Sequence, residues 1–85
     1  MDLKNLVTFI HVAELGSFTK AAEQLGYSQP SISFQIKQLE EEFGCLLFER
    51  INHTITLTEK GHELVYCAHQ IRALTDSFKE SVAEN

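Results

Sequence analysis

Residues 18–43, FTKAAEQLGYSQPSISFQIKQLEEEF, leave few folds open. Ile32, Ile36, Leu39 and Phe43 recur at spacings of four, three and four, a stripe that only a helix gathers onto one face. Pro30, Ser31, Phe34, Lys37, Gln38 and Glu41 fall on the opposite face. Just upstream, Phe18, Ala21, Ala22 and Leu25 form a shorter inward-facing set. Gly26 separates the two helices, where the chain must turn through a conformation that glycine adopts without steric cost. The alanines are small enough for the helices to cross closely. Two helices joined in this way read as a helix-turn-helix over about residues 18–37, a motif whose second helix enters the DNA major groove.

Local signals on either side agree with that core. Leu3 to Leu15 reads as a first helix with Leu3, Leu6, Val7, Phe9, Ile10 and Ala13 on a broad apolar face, ended by Gly16. Ser17 and Ser28 stand where N-caps of the next two helices belong, and Pro30 falls in a first turn, where a missing N–H costs nothing. After Gly44 the texture changes. Residues 46–57 alternate in a β-rich pattern around Asn52-His53, which predicts a small hairpin beside the helices, a wing.

The exposed positions of this arrangement are candidate DNA contacts. Ser28, Gln29, Pro30, Ser31 and Ser33 make the start of the second motif helix small, uncharged and rich in hydrogen-bonding groups, suited to base edges; Gln29 is long enough for adenine N6 and N7. Phe34 lies roughly 160° from Ile32 on a 3.6-residue repeat, so it faces away from the core. Such an exposed ring needs a partner, either thymine methyl groups or another protein surface. Ser17, Thr19, Lys37, Arg50 and His53 are the candidates for positioning on the phosphate backbone, with Lys20 beside Thr19 in an exposed first turn. The bland readings are solvation for Thr19 and Lys20, and an ion pair with Glu49 or another acid for Arg50. The run Glu40-Glu41-Glu42 repels phosphate and marks the helix end that points away from a duplex.

Charge argues the other way. The formal net is −5, with four basic groups against seven acidic ones in residues 1–50 and three against five in residues 51–85. DNA binding must then lean on a few cations together with backbone amides, hydroxyls and helix N-termini. A winged helix used for protein interaction is the competing reading. An enzyme has no support in paired carboxylates, an activated nucleophile or a phosphate-cradling glycine loop. Cys45 and Cys67 make neither a disulfide framework nor a zinc pair, and His62 and His69 lack a third ligand, so neither metal nor cofactor is expected. No apolar run approaches the roughly 20 residues that cross a bilayer, and the N-terminus lacks the marks of a signal peptide, so the cytoplasm is the expected location.

The last segment carries a different signal. Thr58 reads as the N-cap of a long helix in which Gly61, Leu64, Ala68, Ile71, Thr75, Phe78 and Val82 recur alternately at three and four. About 27 residues span roughly 40 Å at 1.5 Å each, more than a small core covers. Leu64, Ala68, Ile71, Thr75, Phe78 and Val82 are therefore expected to line a homodimer interface.

Assembled, these residues resemble the LysR-type bacterial transcriptional regulators. The match runs through Leu6, Phe9, Gly16-Ser17-Phe18, Ala21-Ala22, Leu25, Ser28-Gln29-Pro30-Ser31, Ser33, Gln35-Ile36, Leu39-Glu40, Gly44, Leu47-Phe48-Glu49-Arg50 and Leu57-Thr58-Glu59-Lys60-Gly61. The resemblance implies a mainly α fold: a winged helix-turn-helix over residues 1–58, with the wing at about 46–57, and a dimerising linker helix over 59–85. It implies a homodimer on double-stranded promoter DNA, acting in transcriptional control. The two-lobed effector-binding domain of such regulators has no counterpart here, so no effector ligand is expected on this stretch. Departures from the pattern are Phe34, where Arg or another polar residue is usual, His53, where a basic residue is common, and the acidic run. They bear on base preference rather than on fold.

Overall fold

Capping residues set the boundaries of the helices. The computed structural model describes residues 1–84, in the order α1 (Leu3–Leu15), α2 (Phe18–Leu25), α3 (Gln29–Phe43), β1 (Phe48–Ile51), β2 (Thr54–Leu57) and α4 (Glu59–Ala83). The expected linker residue Asn85 lies outside the described residues. Side chains of Asp2, Ser17, Ser28 and Thr58 each accept an amide hydrogen bond from the first turn they precede. A cap of this kind is worth about 1 kcal/mol. Between α2 and α3, Gly26 turns at φ 75°, in the left-handed region that closes a helix tightly enough for α3 to restart at Gln29.

The core is a three-helix arrangement sealed by two later residues. Leu6, Phe9 and Val12 of α1 meet Ala21 and Ala22 of α2 and Ile32, Ile36 and Leu39 of α3; Leu47 and Ala68 close the cluster. Two polar residues on α1 are also buried, and both are partnered across to α3. Thr8 donates its hydroxyl hydrogen to Gln35 Oε1, and Asn5 Nδ2 donates to Gln38 Oε1 at 3.1 Å. These bonds fix the sliding register of α1 on α3, because a slip of one residue leaves the buried Asn5 and Thr8 side chains without partners.

The hairpin forms as expected. Phe48 pairs with Leu57 and Ile51 with Thr54 in antiparallel register, leaving Asn52 and His53 as the turn, at φ 52° and 64°. Two consecutive positive φ values suit the right-handed strand twist, and Asn and His are among the side chains that tolerate them. The wing docks through Phe48, whose ring lies 5.4 Å from Phe9 and 5.8 Å, edge-on, from Phe18.

Three sequence expectations need correction. Phe43 has the right angular position for the core stripe but is 44% exposed, because its turn lies past the last core contact at Leu39. On α1, Leu3 and Val7 are exposed and Val12 is fully buried. The broad stripe there is really two faces, one against α2 and α3 and one bordering α4. The third correction concerns α4. Gly61 and Ala68 are buried and Leu64 is half-buried against the chain's own core, so the first part of the expected seam already packs within the chain. Beyond them α4 continues past the core with Ile71, Leu74, Phe78 and Val82 exposed, and the molecule measures 51 × 27 × 20 Å.

Candidate nucleic-acid interface

The start of α2, the start of α3 and the wing meet at one recess. Ser17, Thr19, Gln29, Arg50 and His53, all expected contacts, line it together with Gly16, Phe18 and Ile55. The first turn of α2 borders the recess, with Thr19 and Lys20 exposed in it and the Lys20 amide bonded to Ser17 Oγ at 3.1 Å. A helix N-terminus flanked by a hydroxyl and a guanidinium is a phosphate-sized site. Arg50 is held in place: its guanidinium carbon lies 5.4 Å from the centroid of Phe18. Among the described residues it forms no ion pair. The stacking chain therefore runs Phe9, Phe48, Phe18, Arg50, from core to charged tip. A cation fixed on a ring gives up less rotamer freedom when it takes a phosphate.

On α3 the expected base readers divide. Ser28 donates to Ser31 Oγ at 2.9 Å and also accepts the Ser31 amide at 3.3 Å, so both hydroxyls belong to the cap. Gln29 Nε2 donates to Ser33 Oγ at 3.2 Å, one turn along. That bond leaves Gln29 its amide oxygen and one N–H, the pair needed for adenine. Pro30 and Phe34 stand out uncovered one turn apart, Phe34 at 61% exposure. Lys37 does not join this group. It lines a different recess with Glu40, Glu41, Cys45 and Leu46, toward the C-terminal end of α3.

Two features escaped the sequence reading. Lys4 and Asp2, at the start of α1, share the surface beside Pro30, Ser31 and Phe34, so α1 supplies a cation next to the exposed face of α3. No local pattern marks this, because it follows from how α1 crosses α3. The acidic run, too, has structural work. Glu40 Oε2 accepts the Leu47 amide at 2.8 Å, which satisfies the backbone of the one buried residue in the loop entering the wing. Among the described residues, no three His, Cys, Asp or Glu side chains converge as a metal site requires, and no helix is long and apolar enough to cross a membrane.

Known proteins share this geometry. The chain superposes on the crystal structure titled as the BenM_DBD/catB site 1 DNA complex with a TM-score of 0.89 at 37% identity, covering 99% of this chain and 93% of that one. For the CbnR_DBD–DNA complex the TM-score is 0.87 at 39% identity, with 99% and 98% covered. In sequence it is 48% identical over 79 residues to the uncharacterized HTH-type transcriptional regulator YwqM of Bacillus subtilis (strain 168), covering 93% of this chain. It is 44% identical over 80 residues, 94% of this chain, to the RuBisCO operon transcriptional regulator of Allochromatium vinosum. The chain spans about a quarter of the length of these curated relatives, 27% and 26%. Residues 3–62, from the start of α1 to the first turn of α4, match the family described as bacterial regulatory helix-turn-helix protein, lysR family. With α1, α2, α3 and the wing all inside that match, the chain belongs to the lysR family of bacterial regulatory helix-turn-helix proteins.

Proposed function

We propose that this chain binds double-stranded promoter DNA as a homodimer and serves as the DNA-binding part of a cytoplasmic transcriptional regulator, a role without catalysis. Residues 1–58 act as the winged helix-turn-helix and residues 59–85 as the dimerising linker. The observation that carries this reading is the convergence of Ser17, Thr19, Gln29, Arg50 and His53 at one recess beside the outward face of α3. Backbone positioning falls to that group with Lys4 and Lys20. Base contact falls to Gln29, Pro30, Ser33 and Phe34, with Ser28 and Ser31 setting the helix start.

Dimerisation supports the same reading. Ile71, Leu74, Phe78 and Val82 expose apolar surface along the free half of α4, and Leu3 and Val7 border the groove between α1 and α4. Thr75 lies within that groove and returns its hydroxyl to the Ile71 carbonyl at 2.9 Å, so it brings no unpaired donor to an apolar contact. Leu74, absent from the expected seam, is 72% exposed and continues the strip. Two such domains joined through α4 present two α3 helices to one duplex, and the linker sets their separation.

The net charge of −5 favours the alternative, a winged helix that binds proteins. Duplexes enriched by the chain from a random pool, followed by a salt titration, separate the two. With Lys4, Lys20 and Arg50 as the phosphate-reaching cations of each protomer, log K should fall against log[salt] with a slope of roughly −5 for the dimer. No enriched sequence and no affinity at low salt, with the dimer intact, would leave the interaction reading standing.

A further inference from the structure

Phe34 is a large apolar side chain set alone on a polar surface. Around it stand Ser31, Gln38, Asp2 and Lys4, with Pro30 as the other apolar neighbour. Its ring makes no aromatic contact among the described residues; the ring pairs join Phe9, Phe18 and Phe48. A protein-docking surface needs a contiguous apolar patch, and one ring with one proline is too little. The apolar area that does need such a partner lies elsewhere, along Ile71, Leu74, Phe78 and Val82.

The neighbours of Phe34 are also chemically committed. Gln35 and Gln38 each accept a hydrogen bond from α1 through the amide oxygen, from Thr8 and Asn5. Those bonds tie both amides to α1 and restrict how they turn toward a base edge. Ser31 is engaged with Ser28. The largest group that this turn of α3 presents without a partner among the described residues is the Phe34 ring, 61% exposed. The apolar group that a major groove presents is the C5-methyl of a pyrimidine.

We propose that Phe34 is a specificity-determining residue that reads a pyrimidine 5-methyl group, and so accepts thymine or 5-methylcytosine at its position while discriminating against uracil and unmodified cytosine. The inference rests on the DNA-binding reading above. A ring contact has no hydrogen-bonding requirement, so it is blind to whether the base carries O4 or an N4 amino group. The methyl alone counts, and its burial is worth about four-fold in affinity per half-site, or about sixteen-fold on a two-fold duplex.

The experiment uses the full chain and a duplex enriched from a random pool. Thymines facing α3 are replaced singly by deoxyuridine, which deletes the methyl and keeps the base pair. Cytosine and 5-methylcytosine are then compared at the sensitive position. The expected result is one thymine per half-site whose replacement weakens binding about four-fold, with 5-methylcytosine exceeding cytosine by the same factor. In Phe34→Ala both differences vanish, while the thermal midpoint stays that of the parent, because Phe34 is exposed and outside the core. Binding that is insensitive to every deoxyuridine overturns the proposal and leaves DNA binding intact. So does a sensitivity that persists in Phe34→Ala, or a Phe34→Ala effect confined to self-association. Absence of any duplex binding by the parent chain overturns the DNA-binding reading itself.

Discussion

Replacing Gly61 by alanine tests the joint between wing and linker helix. In an exposed helix the change adds about 1 kcal/mol of stability through propensity. Here a Cβ at Gly61 would sit 2.2 Å from the Leu47 carbonyl oxygen and 2.9 Å from Leu57 Cδ2. Ordinary contact begins at 3.4 Å, so the approach to the carbonyl oxygen is more than 1 Å too close. The carbonyl cannot retreat cheaply. It accepts the Thr58 amide at 3.0 Å, the Leu47 amide is bound to Glu40 at 2.8 Å, and the Leu47 side chain is 1% exposed. Overpacking costs about 1–3 kcal/mol, and displacing the Thr58–Leu47 bond adds about 1 kcal/mol. After the propensity gain is subtracted, Gly61→Ala should lose about 2 kcal/mol. At 4–8 °C per kcal/mol, the midpoint of thermal unfolding should fall by roughly 8–16 °C. Circular dichroism melts of the parent, Gly61→Ala and His62→Ala make the comparison, since His62 is exposed one residue away and its change should be nearly neutral. A Gly61→Ala midpoint above the parent's would show that the close approach to Leu47 is not real, and with it the seating of α4 on the core.

Other perturbations probe separate parts of the molecule. Thr8→Val keeps the shape but removes the donor to Gln35, and urea unfolding should show a loss of about 1 kcal/mol; unchanged stability would mean that the buried bond does not form in solution. Arg50→Ala should weaken binding to all duplexes alike and lower the salt slope by about 1 per protomer, measured by fluorescence anisotropy across salt concentrations. A selective loss on one sequence would instead place Arg50 among the base readers. Phe78→Glu should convert a dimer to a monomer in sedimentation velocity without lowering the melting point of the winged domain, because Phe78 is 68% exposed and outside the core. A monomeric parent would contradict the seam.

The features legible in the sequence are those whose cause is local. A serine cap, a proline in a first turn and a glycine that closes a helix act through bonds within a few residues, so Ser17, Ser28, Pro30, Gly16, Gly26 and Gly44 mark the ends of α1–α3 directly. Periodicity is also local, and angular arithmetic along α3 alone turns Phe34 away from the core. The Asn-His turn predicts the hairpin for the same reason.

Periodicity assigns a face but not what covers it, and every correction falls there. The seam of α4 reads as one continuous stripe, yet its first half, Gly61, Leu64 and Ala68, packs on this chain's own core, and along that stripe the exposed residues start at Ile71. The apolar face of α1 divides between two neighbours that lie far apart in sequence. Arg50 sits beside Glu49 in the chain, but the docking of the wing brings Phe18 under its guanidinium, and stacking takes the place of an ion pair. Asn5 and Thr8 bond Gln38 and Gln35 only because α1 crosses α3 at that register. Local interactions determined the elements, the motif and the exposed ring of Phe34. Which surfaces are sealed, what holds Arg50 at the wing and which apolar residues of α4 stay exposed were settled by packing between distant segments, where one residue's environment depends on all the others.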